Sequence, residues 1–324
     1  MRVETGLDRE STKSTKKGGW AEAWSRAERM LAGVTRRRVQ GGRPDVEIAL
    51  LDWGGEGELV LLHHANGFCG ATLAPVASSL RDRFRVIAID ARGHGDSTAL
   101  AVDPASDAYA WTNLASDLEV AVPQILDLTG RSSVALAIGH SLGGALVLAA
   151  AQREPALFER ILLCDPVILP RMTAQEKSRH VRESGLAAAT LKRRNRFPTR
   201  EVAFDHLRSR GLFARFTPEA LALYVGEGTR PTEDGEIGLK CDRRVEAAIF
   251  SGGGVIDLYT DAHRVMAEAR FIHALGGNFS RARYDDLAGR MNDARVDSLE
   301  VGHLFPMEEP GRVVELATGM LSGT

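Results

Sequence analysis

The sequence predicts an α/β protein: a doubly wound, mostly parallel sheet of about eight strands, interrupted by an inserted helical cap. Three observations carry this reading. From about residue 45, short apolar runs rich in β-branched residues alternate with longer amphipathic stretches. The alternation stops after Pro170 and resumes near residue 255. A Gly-x-Ser-x-Gly sequence, Gly139 to Gly143, lies where an expected strand passes into an expected helix.

Residues 1 to about 18 are polar and charged, the composition of an unstructured segment. Trp20, Trp24, Ala27 and Leu31 then recur at helical spacing, so Gly19 to Gly33 reads as an amphipathic helix ended by a glycine. Its apolar stripe calls for cover from the protein's own body. Arg36, Arg37 and Arg38 read as a solvated face. The expected strands are 46–53, 58–65, 84–91, 133–140, 160–166, 269–277 and 295–302, with helices at LAPVASSLRD, WTNLASDLEVAVPQILDLTG and LGGALVLAAAQRE between them. The first two strands lie too close together for a helical crossover, which predicts an antiparallel hairpin. Residues 171 to about 250 are charge-rich, helical in pattern and without a buried-strand run. The resulting division is 1–39 as an N-terminal extension, 40–166 with 255–324 as the core, and 167–254 as the cap. Within 171–245 there are 16 Lys and Arg against 10 Asp and Glu. The run Lys192–Arg196 is read as a solvated face, with attraction of anionic substrates as the functional alternative.

Composition narrows the function. At 324 residues, with 44% hydrophobic and 26% charged residues, the chain can bury one large core. A net charge of -2 gives no reason to expect nucleic acid. No apolar run approaches the roughly 18 residues that a membrane span requires, and the N-terminus lacks the apolar core of a secretory signal, so a cytoplasmic location is expected. Cys69, Cys164 and Cys241 are widely spaced and suit free thiols, Cys69 being the one beside a loop of interest. Neither a metal nor an organic cofactor is implied.

Gly139-His140-Ser141-Leu142-Gly143 suits a strained strand-to-helix turn that presents Ser141 as a nucleophile and aims the Leu142 N–H at a developing oxyanion. In this the sequence resembles the α/β-hydrolase superfamily, on its serine-nucleophile, esterase- or lipase-like branch with an inserted cap. The resemblance runs from about position 44 onward. Leu62 to Phe68 is similar to that family's His-Gly-x loop, with Ala65 in place of glycine, and implies the Asn66 N–H as the second oxyanion donor. Ala91 to Ser97 resembles its Arg-Gly-x-Gly-x-Ser turn, which makes His94 a turn residue. Val301 to Pro310 resembles the segment that carries the base, here His303; His140 is expected to pack behind the nucleophile.

The acid is open between two places. The family's usual Gly-x-x-Asp turn reads Gly277-Asn278-Phe279-Ser280, and the next carboxylates are Asp285 and Asp286. The alternative, at the end of the strand after the nucleophile helix as in haloalkane dehalogenases, is Asp165. Asn66 stands where those dehalogenases hold halide, yet a serine nucleophile would leave an ether there that water cannot cleave. The implied function is therefore acyl transfer on a small-molecule apolar ester. The rivals are a carbon–carbon bond hydrolase with the same triad and a ligand-binding protein on a hydrolase scaffold.

Overall fold

The structure is a computed structural model that describes residues 19–103, 106–170, 185–252 and 256–322, together with 173, 175, 176, 179 and 183. The polar segment 1–18 lies outside the described residues. The first described elements are α1 (Trp20–Met30), β1 (Thr35–Gln40), β2 (Glu47–Asp52), β3 (Leu59–His63), α2 (Ala74–Leu80) and β4 (Arg85–Ile89). They continue as α3 (Trp111–Thr129), β5 (Leu136–His140), α4 (Leu142–Arg153) and β6 (Arg160–Cys164). Next come α5 (Leu186–Lys192), β7 (Arg196–Phe197), α6 (Arg200–Arg208), α7 (Pro218–Glu227), β8 (Thr229–Pro231), β9 (Ile237–Leu239) and α8 (Arg243–Gly252). The chain ends with β10 (Glu268–Gly276), α9 (Arg281–Ala288), β11 (Ala294–Gly302), α10 (Phe305–Glu308) and α11 (Pro310–Leu321).

Eight strands form one sheet in the order β1-β2-β4-β3-β5-β6-β10-β11. From β4 to β11 the pairing is parallel, and only β1–β2 and β2–β4 are antiparallel. The central strands β3 and β5 are buried along their whole length, as their unbroken apolar runs require. One apolar core lies against α3, α4, α8 and α9, the other against α1, α2, α6, α7 and α11.

Two expectations about the sheet need correction. The runs 46–53 and 58–65 do not pair with each other: β4 lies between β2 and β3. Their glycine-rich connection passes so close to the start of β4 that a Cβ on Gly55 would stand 2.1 Å from the Phe84 carbonyl oxygen, which displaces β2 by one strand. The hairpin partner of β2 is β1, the TRRRVQ stretch, where Val39 alone is buried. Arg36 and Arg37 are not merely solvated, since they pair with Glu227 and Asp52.

Between β6 and β10 the expected helices are present, but so is a three-stranded sheet, β7-β9-β8. Two- and three-residue strands are too short to leave an apolar run in the sequence. The stripe of α1 is covered from within: Trp20 stacks on Trp24 at 5.4 Å between ring centroids and meets Phe204 edge-on. Among the described residues, no helix is long and apolar enough to cross a membrane.

Candidate active site

The site lies at the carboxyl ends of the parallel strands, where an open α/β sheet leaves its crevice. Four chain segments meet there, those following β3, β5, β6 and β11. At the end of β5, Ser141 has φ 54 and ψ -115, a left-handed conformation that costs a non-glycine residue about 1–3 kcal/mol. Surrounding contacts impose it. The Ser141 N–H donates to the Cys164 carbonyl at 3.1 Å, and its own carbonyl accepts from Ala145 and Val167. The turn is tight enough that a Cβ on Gly139 would stand 2.6 Å from the Gly143 carbonyl oxygen, and one on Gly143 2.5 Å from that of His63. Leu142 opens α4, so its N–H has no partner within the helix and faces the turn.

His303 follows β11. Its Nε2 lies 3.0 Å from Ser141 Oγ and its Nδ1 2.6 Å from Asp165 Oδ2. Asp165 follows β6 in a second left-handed conformation, φ 43, and is fully buried. Its Oδ1 accepts from the Ala274 N–H at 3.1 Å and from the Tyr284 hydroxyl at 3.0 Å, which leaves Oδ2 for the imidazole. Burial, followed by the Asp165 charge, pushes the Tyr284 phenol up, so it stays a donor. Gly277 leaves the room this carboxylate occupies, since a Cβ there would lie 2.6 Å from Oδ2. Asp285 and Asp286 stand apart: both are exposed on α9 and pair with Arg281 and Arg290 one turn away. His140 lies behind the site, donating from Nε2 to the His303 carbonyl at 2.8 Å. Burial holds its imidazole down at about 3, so it is neutral.

Histidines also shape the loop after β3, a role that the sequence reading did not assign to them. His64 Nε2 accepts from the Ala91 N–H, while its Nδ1 faces the Ala65 carbonyl. His94 Nε2 accepts from the Gly67 N–H at 2.9 Å. With Phe68 N–H bonded to the Ala65 carbonyl, Asn66 N–H is left without an acceptor among the described residues. Such bonds need neutral imidazoles, and burial keeps His94 at about 4 and His64 well below its ordinary value. The Asn66 side-chain amide, the donor a halide site would need, is engaged: its Nδ2 donates to the Glu246 carbonyl of α8. Cys69 is buried, and burial pushes its thiol up, away from a reactive thiolate.

Above Ser141 is a cavity of about 570 Å³ with apolar walls that include Phe68, Trp111, Leu212 and Phe213. Among the described residues its charged lining side chains are Arg193, Glu246 and Arg283. Arg193 forks onto Glu246, whose carboxyl burial pushes up against the opposing pull of that guanidinium.

A model of the alpha/beta hydrolase family matches residues 59–316. The chain belongs to this family. Among curated proteins, this alpha/beta hydrolase is similar to an uncharacterized protein of Mycobacterium tuberculosis, 36% identical over 127 residues that make up 39% of this chain and 33% of that protein. It is also similar to protein phosphatase methylesterase 1 of Gibberella zeae, 37% identical over 105 residues, 29% of this chain and 24% of that one. The chain thus matches a third or less of the length of these curated relatives. In three dimensions it resembles the crystal structure of E-2-(acetamidomethylene)succinate hydrolase, with a TM-score of 0.71 and 20% identity over 90% of this chain and 100% of the other. At that identity the likeness speaks for the fold.

Proposed function

We propose that this alpha/beta hydrolase cleaves a carboxylic ester through an acyl-enzyme on Ser141. The observation that carries the proposal is the relay Asp165–His303–Ser141, 2.6 Å and 3.0 Å long, at a strained turn beneath an apolar cavity. In this reading His303 Nε2 accepts the Ser141 proton as Oγ attacks the ester carbonyl. Asp165 fixes the tautomer with the proton on Nδ1 and stabilises the imidazolium that forms. The oxyanion is met by the N–H groups of Leu142 and Asn66, held in place by the α4 start and by the histidine-braced loop. His303 then returns the proton to the departing alkoxide, and water, activated by the same imidazole, releases the acid. Segment 167–254 acts as a cap: its Arg193, Leu212, Phe213 and Glu246 form walls of the cavity above the serine, so it sets which ester fits.

The test is hydrolysis of p-nitrophenyl esters from acetate to palmitate, paired with labelling by a fluorophosphonate. Turnover of at least one chain length and labelling lost in Ser141→Ala are expected. A folded protein that neither labels nor turns over any ester contradicts the reading and favours a ligand-binding role. Labelling without ester turnover favours carbon–carbon bond hydrolysis by the same residues.

A further inference from the structure

The basic run Lys192–Arg196 is only partly a surface feature. Arg193 reaches the catalytic cavity, where Glu246 meets its charge. Arg283, on α9, lines the same cavity from the opposite part of the chain, and among the described residues it has no carboxylate within ion-pair distance. A second cavity of about 410 Å³ adjoins the first, sharing Arg193, Leu212, Phe213 and Tyr224 with it and adding Arg194 and Arg210. Among the described residues the two cavities together are lined by four arginines and a single carboxylate, that of Glu246.

This balance matters because the walls are apolar. A charge beside low-dielectric walls keeps its field, which surface arginines lose to water and salt. A neutral ester in this cavity displaces water from Arg283 and offers it no counter-charge, a loss rather than a gain of binding. A substrate bearing a carboxylate supplies the missing partner through a charge-assisted, two-pronged hydrogen bond. We propose that Arg283 binds a carboxylate of the substrate, so that the preferred ester carries an acid group in addition to its scissile bond. The proposal rests on the ester-hydrolase reading of Ser141 and His303 and narrows its substrate class.

Two measurements test it. The first is binding, read by fluorescence of Trp111 in the cavity wall, of hexanoate and hexanamide, which match in length and differ in the negative charge that Arg283 would meet. Hexanoate should bind about tenfold more tightly than hexanamide to the wild type, and Arg283→Gln should bring the two to similar affinity, with Arg283→Lys in between. This reading does not depend on turnover. The second is the ratio of kcat/KM for acid-bearing and neutral esters of matched shape, corrected for spontaneous hydrolysis: p-nitrophenyl hydrogen adipate against p-nitrophenyl hexanoate for an acid on the acyl side, and 4-acetoxybenzoate against 4-methylphenyl acetate for one on the leaving group. At least one ratio should exceed one in the wild type and fall toward one in Arg283→Gln. A merely structural role would lower both members of a pair by the same factor. Equal binding of hexanoate and hexanamide by the wild type, or a preference that survives Arg283→Gln, overturns the proposal. Neutral esters turned over without any acid preference leave the hydrolase reading standing and remove only this one.

Discussion

Lowering the pH should unfold this protein earlier than an ordinary alpha/beta domain, because buried neutral histidines brace its active-site loop. Burial holds His63 and His94 at about 4 and His140 at about 3, against 6.5 for a free imidazole. In the window between those values the unfolded chain binds protons that the fold refuses, so stability is intact above pH 6.5 and is lost as pH falls toward 4. At pH 5 each of the three costs the fold about 2 kcal/mol relative to pH 8, together about 6 kcal/mol. Asp90 works the other way: burial pushes it up to about 6, so the fold takes up its proton first and regains about 1 kcal/mol by pH 5. Asp117, Glu246 and Glu308 are raised by burial in the same sense, while His64, well below its ordinary value, adds to the loss. The net loss is about 5 kcal/mol, comparable with the whole stability of many domains. The check is urea unfolding at pH 8, 7, 6 and 5, followed by the fluorescence of the four tryptophans. Between pH 6 and 5 the unfolding free energy should fall by about 2–3 kcal/mol, an uptake of about two protons. A flat profile from pH 8 to 5 would refute the reasoning, since it would mean that these imidazoles take up protons in the fold as readily as in the unfolded chain.

The remaining predictions concern the site and its support. Ser141→Ala and His303→Ala should each lower ester turnover by roughly 10³ or more while the thermal midpoint moves little, measured with a p-nitrophenyl ester and by scanning fluorimetry. Asp165→Asn should lower kcat strongly by favouring the wrong His303 tautomer, whereas Asp285→Asn and Asp286→Asn, on exposed surface, should change stability by about 0.5 kcal/mol or less and leave kcat intact; equal effects from all three would sink the assignment. Tyr284→Phe removes one of the two donors to Asp165 Oδ1 and should cost about 1–3 kcal/mol in urea unfolding together with a drop in kcat at unchanged KM. Gly226→Ala should destabilise by about 1–3 kcal/mol, because its Cβ would stand 2.0 Å from the Trp24 ring that packs α1 on α7.

What the sequence disclosed follows from how local each signal is. Seven strands, the three core helices and the Ser141 turn are written in contiguous patterns, and each lies within a few residues of its expected place. Strand β1 escaped because an edge strand buries so little: TRRRVQ offers the core only Val39. The pairing of β2 was misread because neighbours in sequence were taken as neighbours in the sheet, whereas strand order depends on contacts such as Gly55 against Phe84. Tyr284 left no trace, since its hydroxyl meets Asp165 across 119 residues. Arg193 and Arg283 were visible only as charge, and whether a charged side chain faces water or a cavity is decided by the packing of segments far apart in the chain.

The two places that the sequence left open for the acid become neighbours once the sheet is built. β6 and β10 are adjacent and parallel, with Ile272 of β10 opposite Cys164 of β6, so their carboxyl ends emerge side by side beneath His303. A carboxylate at either exit is within a few ångströms of the same imidazole, and the fold constrains the endpoint, His303 Nδ1, more than the strand that supplies it. Here the β10 exit has taken the complementary part. Its Gly277 leaves space for Oδ2, its Ala274 N–H binds Oδ1, and its Phe279 lies edge-on to the His303 ring at 5.6 Å between centroids. The serine at position 280 is therefore no lost function. The exit that lacks the carboxylate has become the pocket that holds it, and this is why the hydrogen-bonded neighbours of Asp165 come from β10 and the helix after it.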